Sequence, residues 1–292
     1  MADLSCLVID DLDAALAAMT EVGKSVAAES ASLIRESVLR YAKRRGWTVI
    51  SHGSFTQWAT ALIKSDERRW VVLDPLFPTD GIAERALRLP LRRASVAGQF
   101  EVSGDLDIMD QLGVRTTIGL LDDAAASGGT LRHVIRMARM RGLTVSKVVV
   151  CASTRYARDA LRPAIPSVPW VDYMPGDWRI VHLRDGCPHL PFTGGSLDLS
   201  ASEAAKHTRQ YACSPTYCVR GSVWQALHLD REIQETIGRA RARIVIEMAS
   251  VLGHPPTVSD VRLLGPGCRA IVAPGQIARP ETPLENLLST GR

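Results

Sequence analysis

The stretch that most constrains this chain lies between Thr116 and Ala152. Thr116 to Leu121 reads as a strand and Asp122 to Gly129 as a loop. Thr130 to Arg141 reads as a helix with Leu131, Val134, Ile135 and Ala138 on one face. After Gly142, Val145 to Ala152 is a second apolar strand run. Strands that are apolar along their whole length and joined by a helix belong to a parallel sheet covered on both faces. The expected fold class is α/β, a central parallel sheet flanked by helices. The expected division is a helical N-terminal segment at 1–45, a core at 46–198 and a C-terminal helical extension at 199–292.

Ile34, Val38, Tyr41 and Ala42 form a helical stripe that stops at Gly46, and the first 45 residues read as helical. Trp47 to Ile50 is of strand type and breaks into Ser51-His52-Gly53-Ser54. A helix-like segment follows, with Phe55, Trp58, Ala59 and Leu62 on one face. Trp70 to Leu73 is a further strand, closed by Asp74-Pro75. The polar stretch from Arg92 to Asp107 has no clear period and reads as a mobile loop. Prolines at 163, 166, 169 and 175 mark a loop-rich passage before strand-like Trp178 to Leu183. A long helix runs from about Leu229 to Leu252, with Ile233, Ile237, Ala240, Ile244, Met248 and Val251 on one stripe.

The 35 basic and 31 acidic residues leave a net charge of +4, too balanced to imply nucleic acid, although an anionic small substrate suits it. The short basic clusters Lys43–Arg45, Arg92–Arg93 and Arg239–Arg243 read as solvated helix faces. No apolar run reaches the roughly 18 residues that span a bilayer, and the N-terminus carries acidic residues where a signal peptide needs basic ones. A cytoplasmic protein without a membrane partner is expected. Its six cysteines, Cys6, Cys151, Cys187, Cys213, Cys218 and Cys268, show no CxxC pair and read as free thiols. Cys213, Cys218 and His207 are spaced poorly for zinc.

The chemistry concentrates in Asp122-Asp123-Ala124-Ala125-Ala126-Ser127-Gly128-Gly129-Thr130. This run follows a buried strand and opens a helix, so it lies at the carboxyl edge of the sheet, where α/β folds bind ligands. Small residues let the backbone approach a ligand, and two glycines permit a tight turn. Free N–H groups at the helix start favour a phosphate, with the Ser127 and Thr130 hydroxyls beside them. Two carboxylates next to a phosphate make sense if they take sugar hydroxyls or, through water, a magnesium ion.

Leu120-Leu121-Asp122-Asp123 followed by Ala126-Ser127-Gly128-Gly129-Thr130 resembles the phosphoribosyl-pyrophosphate (PRPP) loop of type I phosphoribosyltransferases, a family with a Rossmann-like α/β fold. The resemblance implies that Asp122 and Asp123 hold the ribose hydroxyls and the magnesium ion, and act in catalysis. It gives Ala126, Ser127, Gly128, Gly129 and Thr130 to the 5-phosphate. Val49 to Phe55 is similar to the pyrophosphate loop of the hypoxanthine-guanine members, which implies PRPP contacts for Ser51, His52, Gly53 and Ser54. The stretch Arg92 to Gly104 takes the place of the family's flexible loop. Asp177 to Asp185, then Leu190-Pro191-Phe192, looks like the base-recognition strand and loop, and Trp178 and Asp185 inherit the acceptor contacts.

The resemblance implies magnesium-dependent transfer of 5-phosphoribose from PRPP to an acceptor with release of pyrophosphate, by a protein that is expected to form a homo-oligomer. Ala126 stands where the hypoxanthine-guanine group has its proposed general base, and Asp177 favours a donor such as an amine on the acceptor. The acceptor is a nucleobase or another small molecule. Two other classes share the loop: a PRPP-sensing regulator without transfer, which needs a DNA-binding segment, and a pyrophosphokinase, which normally has a duplicated fold. Neither a persuasive helix-turn-helix nor a repeat is visible.

Overall fold

In chain order the computed structural model contains β1 (Ser5–Asp10), α1 (Leu12–Ala17), α2 (Glu21–Arg44), β2 (Thr48–Ser51), α3 (His52–Ser65), β3 (Arg69–Val72) and β4 (Ala86–Arg88). There follow β5 (Leu91–Val96), β6 (Gln99–Gly104), β7 (Thr117–Ala125), α4 (Gly129–Met140), β8 (Thr144–Ser153) and α5 (Arg155–Leu161). The last elements are β9 (Trp170–Asp172), β10 (Trp178–His182) and α6 (Arg231–Leu252). The structure describes residues 5–89, 91–96, 99–104, 107–186, 231–257, 259–265 and 281–284. By their contacts the residues form two units. Unit 1 is Met1–Cys6, Ile50–Arg93 and Phe100–Ile180, and unit 2 is Leu7–Val49, Ala94–Gln99 and Val181–Arg292. The N-terminal helices and the C-terminal helix, expected as separate flanking segments, therefore fall in one unit.

Unit 1 is built on a five-stranded sheet in the order β4-β3-β7-β8-β9, with every neighbouring pair parallel. The protein is thus α/β. One face packs under α4 and α5, where Val71, Leu120, Val148 and Val150 meet Leu131, Val134, Ile135 and Ala138 of α4 and Ala157 and Leu161 of α5. Fully burying each of the Val, Leu and Ile side chains among them contributes about 1.5–3 kcal/mol. On the other face the Trp70 ring lies over Gly119, where a Cβ would come within 2.6 Å of it. That contact is why a glycine interrupts an otherwise bulky strand. The chain steps outward from β3 to β4, returns to β7 beside β3, and proceeds through β8 to β9. The strand order therefore reverses between β3 and β7, and their carboxyl ends form the switch point at which such sheets bind ligands.

In unit 2, α2 and α6 run antiparallel. Arg40 and Arg44 near the end of α2 pair with Glu232 at the start of α6, and Arg243 pairs with Glu29. Val26, Ile34 and Val38 are buried on α2 and Ile233, Ala240, Ile244 and Met248 on α6, and the buried Ser30 Oγ donates to the Ala240 carbonyl at 2.9 Å. The 3-10 helix Ser259–Leu264 caps this pair: Thr20 Oγ1 donates to the Leu263 carbonyl at 2.7 Å, and the Thr20 N–H to that of Leu264. A further three-stranded sheet has the order β10-β1-β2. Among the described residues no helix is long and apolar enough to cross a membrane.

Several expectations are corrected. The first 45 residues are not all helical, because Cys6-Leu7-Val8-Ile9 forms β1. Leu7, Val8 and Ile9 are all buried, which suits an apolar run too short for a helix. Arg92 to Gly104 is not a loop: β5 and β6 form a two-stranded sheet, and Phe100-Glu101-Val102-Ser103 has the period-2 alternation that supports a strand. The proline-rich passage contains the short strand β9, and α5 precedes it. Val251 is half-exposed, off the buried stripe of α6. The expected loop at Leu190-Pro191-Phe192, the whole segment 199–230, and Cys187, His207, Cys213, Cys218 and Cys268 lie outside the described residues. Cys6 is half-buried and Cys151 buried.

Candidate functional site at the carboxyl edge of the sheet

β7 is longer than its sequence suggests. It runs to Ala125, so Asp122 and Asp123 belong to the strand and only Ala126-Ser127-Gly128 remain as loop. That corrects the expected loop of Asp122 to Gly129, and it has a consequence. Successive strand residues leave opposite faces. Asp122 pairs with Val150 and shares a face with Ile118 and Leu120, on the side of α4. Asp123 takes the other face with Leu121, whose strand partner is Val72. Both carboxylates are buried, and Asp122 Oδ1 accepts the Asp123 N–H at 3.0 Å.

The turn into α4 is set by Gly128, which has φ 71° and is the N-cap of the helix. A side chain there is strained by the backbone and crowded as well, since a Cβ would lie 3.0 Å from Leu161 Cδ1 and 3.3 Å from the Ala157 carbonyl oxygen. No side chain caps α4, and no acidic residue occupies its first turn. The Gly129 N–H makes a long hydrogen bond of 3.4 Å to Ser127 Oγ, and the N-cap residue itself offers no side chain to the turn's N–H groups, an arrangement that favours an anion. Ser127 is half-buried and Thr130 buried beside them, while Ala126 is exposed. The structure thus brings Ala126, Ser127, Gly128, Gly129 and Thr130 together at the end of β7, at the switch point.

Ser51 to Ser54 is not a loop. Ser51 caps α3 by accepting the Gly53 N–H at 3.1 Å, and His52 is the first residue of the helix. His52 is buried, with its Nε2 2.7 Å from Asp74 Oδ2, whereas Ser51, Gly53 and Ser54 are exposed. Asp74 follows β3 and also accepts the Leu76 N–H through Oδ1 at 2.9 Å. Asp74 is a site residue that sequence reasoning reads only as a turn former. The signal for it was a buried histidine in want of a carboxylate, which spacing alone does not supply.

Trp178 and Asp185 fall in different units. Trp178 begins β10 half-buried, and its Nε1 donates to the Met174 carbonyl at 3.0 Å. Asp185 lies in the 3-10 helix Leu183–Gly186. Asp177, expected near the acceptor, accepts the Arg155 N–H at 2.7 Å. Thr154 is a second residue missed in the sequence. It caps α5, and it also donates to the Ala126 carbonyl at 2.6 Å. A threonine between a strand run and a helix start was the available signal.

A glycine-opened loop that leads into a helix N-terminus at the switch point of a parallel α/β sheet is an arrangement at which such folds can bind anions. Solved structures to which this chain is similar include adenine phosphoribosyltransferase from Trypanosoma brucei in complex with AMP, pyrophosphate and ribose-5-phosphate. The identity is 14% and the TM-score 0.32, over 41% of this chain and 62% of that one. The enzyme from Saccharomyces cerevisiae, complexed with an imino-altritol bisphosphate and adenine, is 11% identical with a TM-score of 0.29, over 42% of this chain and 75% of that one. A hypothetical protein from Neisseria gonorrhoeae with bound ppGpp is 13% identical with a TM-score of 0.34, over 46% of this chain and 85% of that one. The chain therefore spans less than two thirds of the trypanosomal enzyme. No family model and no curated protein matches the sequence.

Proposed function

We propose that this protein is a phosphoribosyltransferase that moves 5-phosphoribose from PRPP to a small acceptor with release of pyrophosphate. The observation that carries the reading is the cradle itself: an uncapped α4, opened by Gly128 in the left-handed region, directly after two buried carboxylates at the switch point of the sheet. In this reading the first-turn N–H groups of α4, with Ser127 and Thr130, bind the 5-phosphate. Asp122 and Asp123, on opposite faces of β7, hold the ribose and set its anomeric carbon. The exposed Ser51, Gly53 and Ser54 at the start of α3 face the pyrophosphate, and His52 supports them through Asp74.

The donor set suits a magnesium ion that arrives with its ligand. Magnesium keeps several waters and binds through one or two carboxylates plus substrate phosphates rather than in an all-protein cage. Among the described residues no group of three or more His, Cys, Asp or Glu is placed to hold a metal alone. Asp122 and Asp123 are the residues that would orient the ion, whose chemistry is to neutralise the leaving pyrophosphate. What the chain itself supplies is positioning, which can account for roughly 7–11 kcal/mol of a barrier. With Ala126 beside the cradle the protein offers no carboxylate there as general base, so an acceptor bearing its own amine suits the site. Trp178 is the acceptor contact in this reading.

The test is pyrophosphate release from PRPP and magnesium across a panel of amino-bearing and oxo-bearing planar bases. Release with an amino-bearing base, reduced at least about 100-fold in Asp123→Asn, is the expected outcome for loss of a group that orients the reacting sugar. Equal release by the variant removes Asp123 from the reaction.

A further inference from the structure

The cradle is held from behind, and the brace leads to a second loop. In a trans peptide the carbonyl of one residue and the N–H of the next lie in one plane and point in opposite directions. Thr154 Oγ1 donates to the Ala126 carbonyl at 2.6 Å, and the Thr154 N–H donates to the Ala125 carbonyl at 3.0 Å. With the Ala126 carbonyl drawn toward Thr154, the Ser127 N–H of the same peptide is turned away from it. One hydroxyl therefore sets the direction of the first donor of the cradle loop.

The same hydroxyl accepts the Ala157 N–H at 3.0 Å and so starts α5. α5 in turn carries the segment after β9. Arg158 Nη1 donates to the Gly176 carbonyl at 2.8 Å, to Ser153 Oγ at 2.6 Å and to Asp172 Oδ2 at 3.2 Å. Asp177 Oδ1 accepts the Arg155 N–H at 2.7 Å. Within that segment the Trp178 indole donates to the Met174 carbonyl, and Gly176, at φ 148°, leaves no room for a Cβ, which would fall 2.7 Å from Trp178 Nε1. Behind the cradle, Gly128 packs on Leu161 and the Ala157 carbonyl. Both ends of the connection therefore rest on one short helix.

We propose that Thr154 is a positioning residue that couples the cradle to the loop Tyr173–Trp178, so that an occupied cradle sets the conformation of that loop through α5. The inference rests on the reading of the cradle as a PRPP site. Phosphate binding fixes the Ser127 N–H and with it the Ala126 carbonyl, and Thr154 passes the constraint to α5, Arg158 and the Gly176 carbonyl. Under the proposed function the coupling is reciprocal: an occupied cradle shapes the place where the acceptor docks, and a bound acceptor favours the occupied cradle.

The experiment uses the full chain labelled with 5-fluorotryptophan, the Trp178 signal being assigned by its loss in Trp178→Phe. PRPP with magnesium is titrated by calorimetry and by fluorine NMR. In the wild type the Trp178 signal is expected to move by more than its linewidth at saturation. Thr154→Ser, which keeps both hydroxyl bonds, is expected to behave the same way. Thr154→Val, of nearly the same shape, is expected to bind PRPP about ten-fold more weakly, as for loss of a hydrogen bond that orients a donor. At saturation its Trp178 signal stays in place. A Trp178 signal that stays in place in the wild type while calorimetry records PRPP binding overturns the coupling and leaves the donor site standing. So does a Thr154→Val variant indistinguishable from wild type. Absence of PRPP binding by the wild type overturns both.

Discussion

Gly128 shows how much of the site depends on single atoms. Its φ of 71° is one that L side chains rarely adopt, and Leu161 stands where a Cβ would go. Gly128→Ala is expected to cost about 1–3 kcal/mol of stability, the usual range for a side chain forced into the left-handed region. The check is the urea midpoint, and the variant should also bind PRPP less tightly. Asp11 in unit 2 belongs to a different kind of site. It is buried and accepts from the His182 Nδ1–H at 2.9 Å and from the Arg184 N–H at 2.9 Å, with Arg184 Nη1 at 3.0 Å. Burial alone pushes this carboxyl up, but the Arg184 charge, then the His182 hydrogen bond and charge, outweigh it and hold it below its ordinary 3.8. A carboxyl lowered by folding stabilises the protein above its unfolded value and loses that contribution as pH falls through its folded value. Wild-type stability should therefore decline below about pH 4 partly on its account. Asp11→Asn, which removes the carboxylate charge facing Arg184 and His182, should lower stability at neutral pH and show a shallower decline in acid. Urea midpoints measured across a pH series decide it.

At the scale of elements, the unit around β7, α4 and β8 was legible in the sequence because its two periods are undiluted. Thr130, Leu131, Val134, Ile135 and Ala138 are the buried residues of α4, at the spacing of one helical face. The buried face of α3 was legible in part: Phe55 and Ala59 are buried, but the line runs through His52 and Ile63 rather than Trp58 and Leu62. Boundaries near the ligand were less legible. β7 extends through Asp122 and Asp123, residues that avoid strands, because the parallel ladder continues to Ala125 beside Ser153. Ser51 is a local cap signal for α3, but the burial of His52 against Asp74, 22 residues away, is announced by no local pattern. β5 and β6 were hidden because Leu91–Val96 carries two adjacent arginines and no clear alternation. A contact between elements gives a further test. A Cβ on Gly23 of α2 would lie 1.9 Å from the Leu264 carbonyl oxygen, which is backbone and cannot swing aside. Gly23→Ala should therefore push the 3-10 helix Ser259–Leu264 off α2 at a cost of roughly 1–3 kcal/mol, read as a lowered thermal midpoint. A variant as stable as wild type contradicts that packing.

For the molecule as a whole, the division of labour is between a unit with a parallel sheet and its switch point and a unit with two long antiparallel helices. The second unit joins residues far apart in sequence, as in the ion pair between Arg40 and Glu232 and the hydrogen bond from Ser30 to Ala240. Such pairings cannot be read from a window of sequence, which is why the ends of the chain looked like separate extensions. The central claim concerns the first unit, that its cradle binds PRPP. It is tested most directly by calorimetric titration of PRPP and magnesium into the wild type and into Asp122→Asn/Asp123→Asn, whose side chains keep the shape and lose the charge. The account predicts saturable binding by the wild type, with affinity in the double variant lower by at least about 100-fold, the scale of two lost charge-assisted contacts. A folded wild type that takes up no heat from PRPP, or a double variant that binds it equally well, contradicts the account.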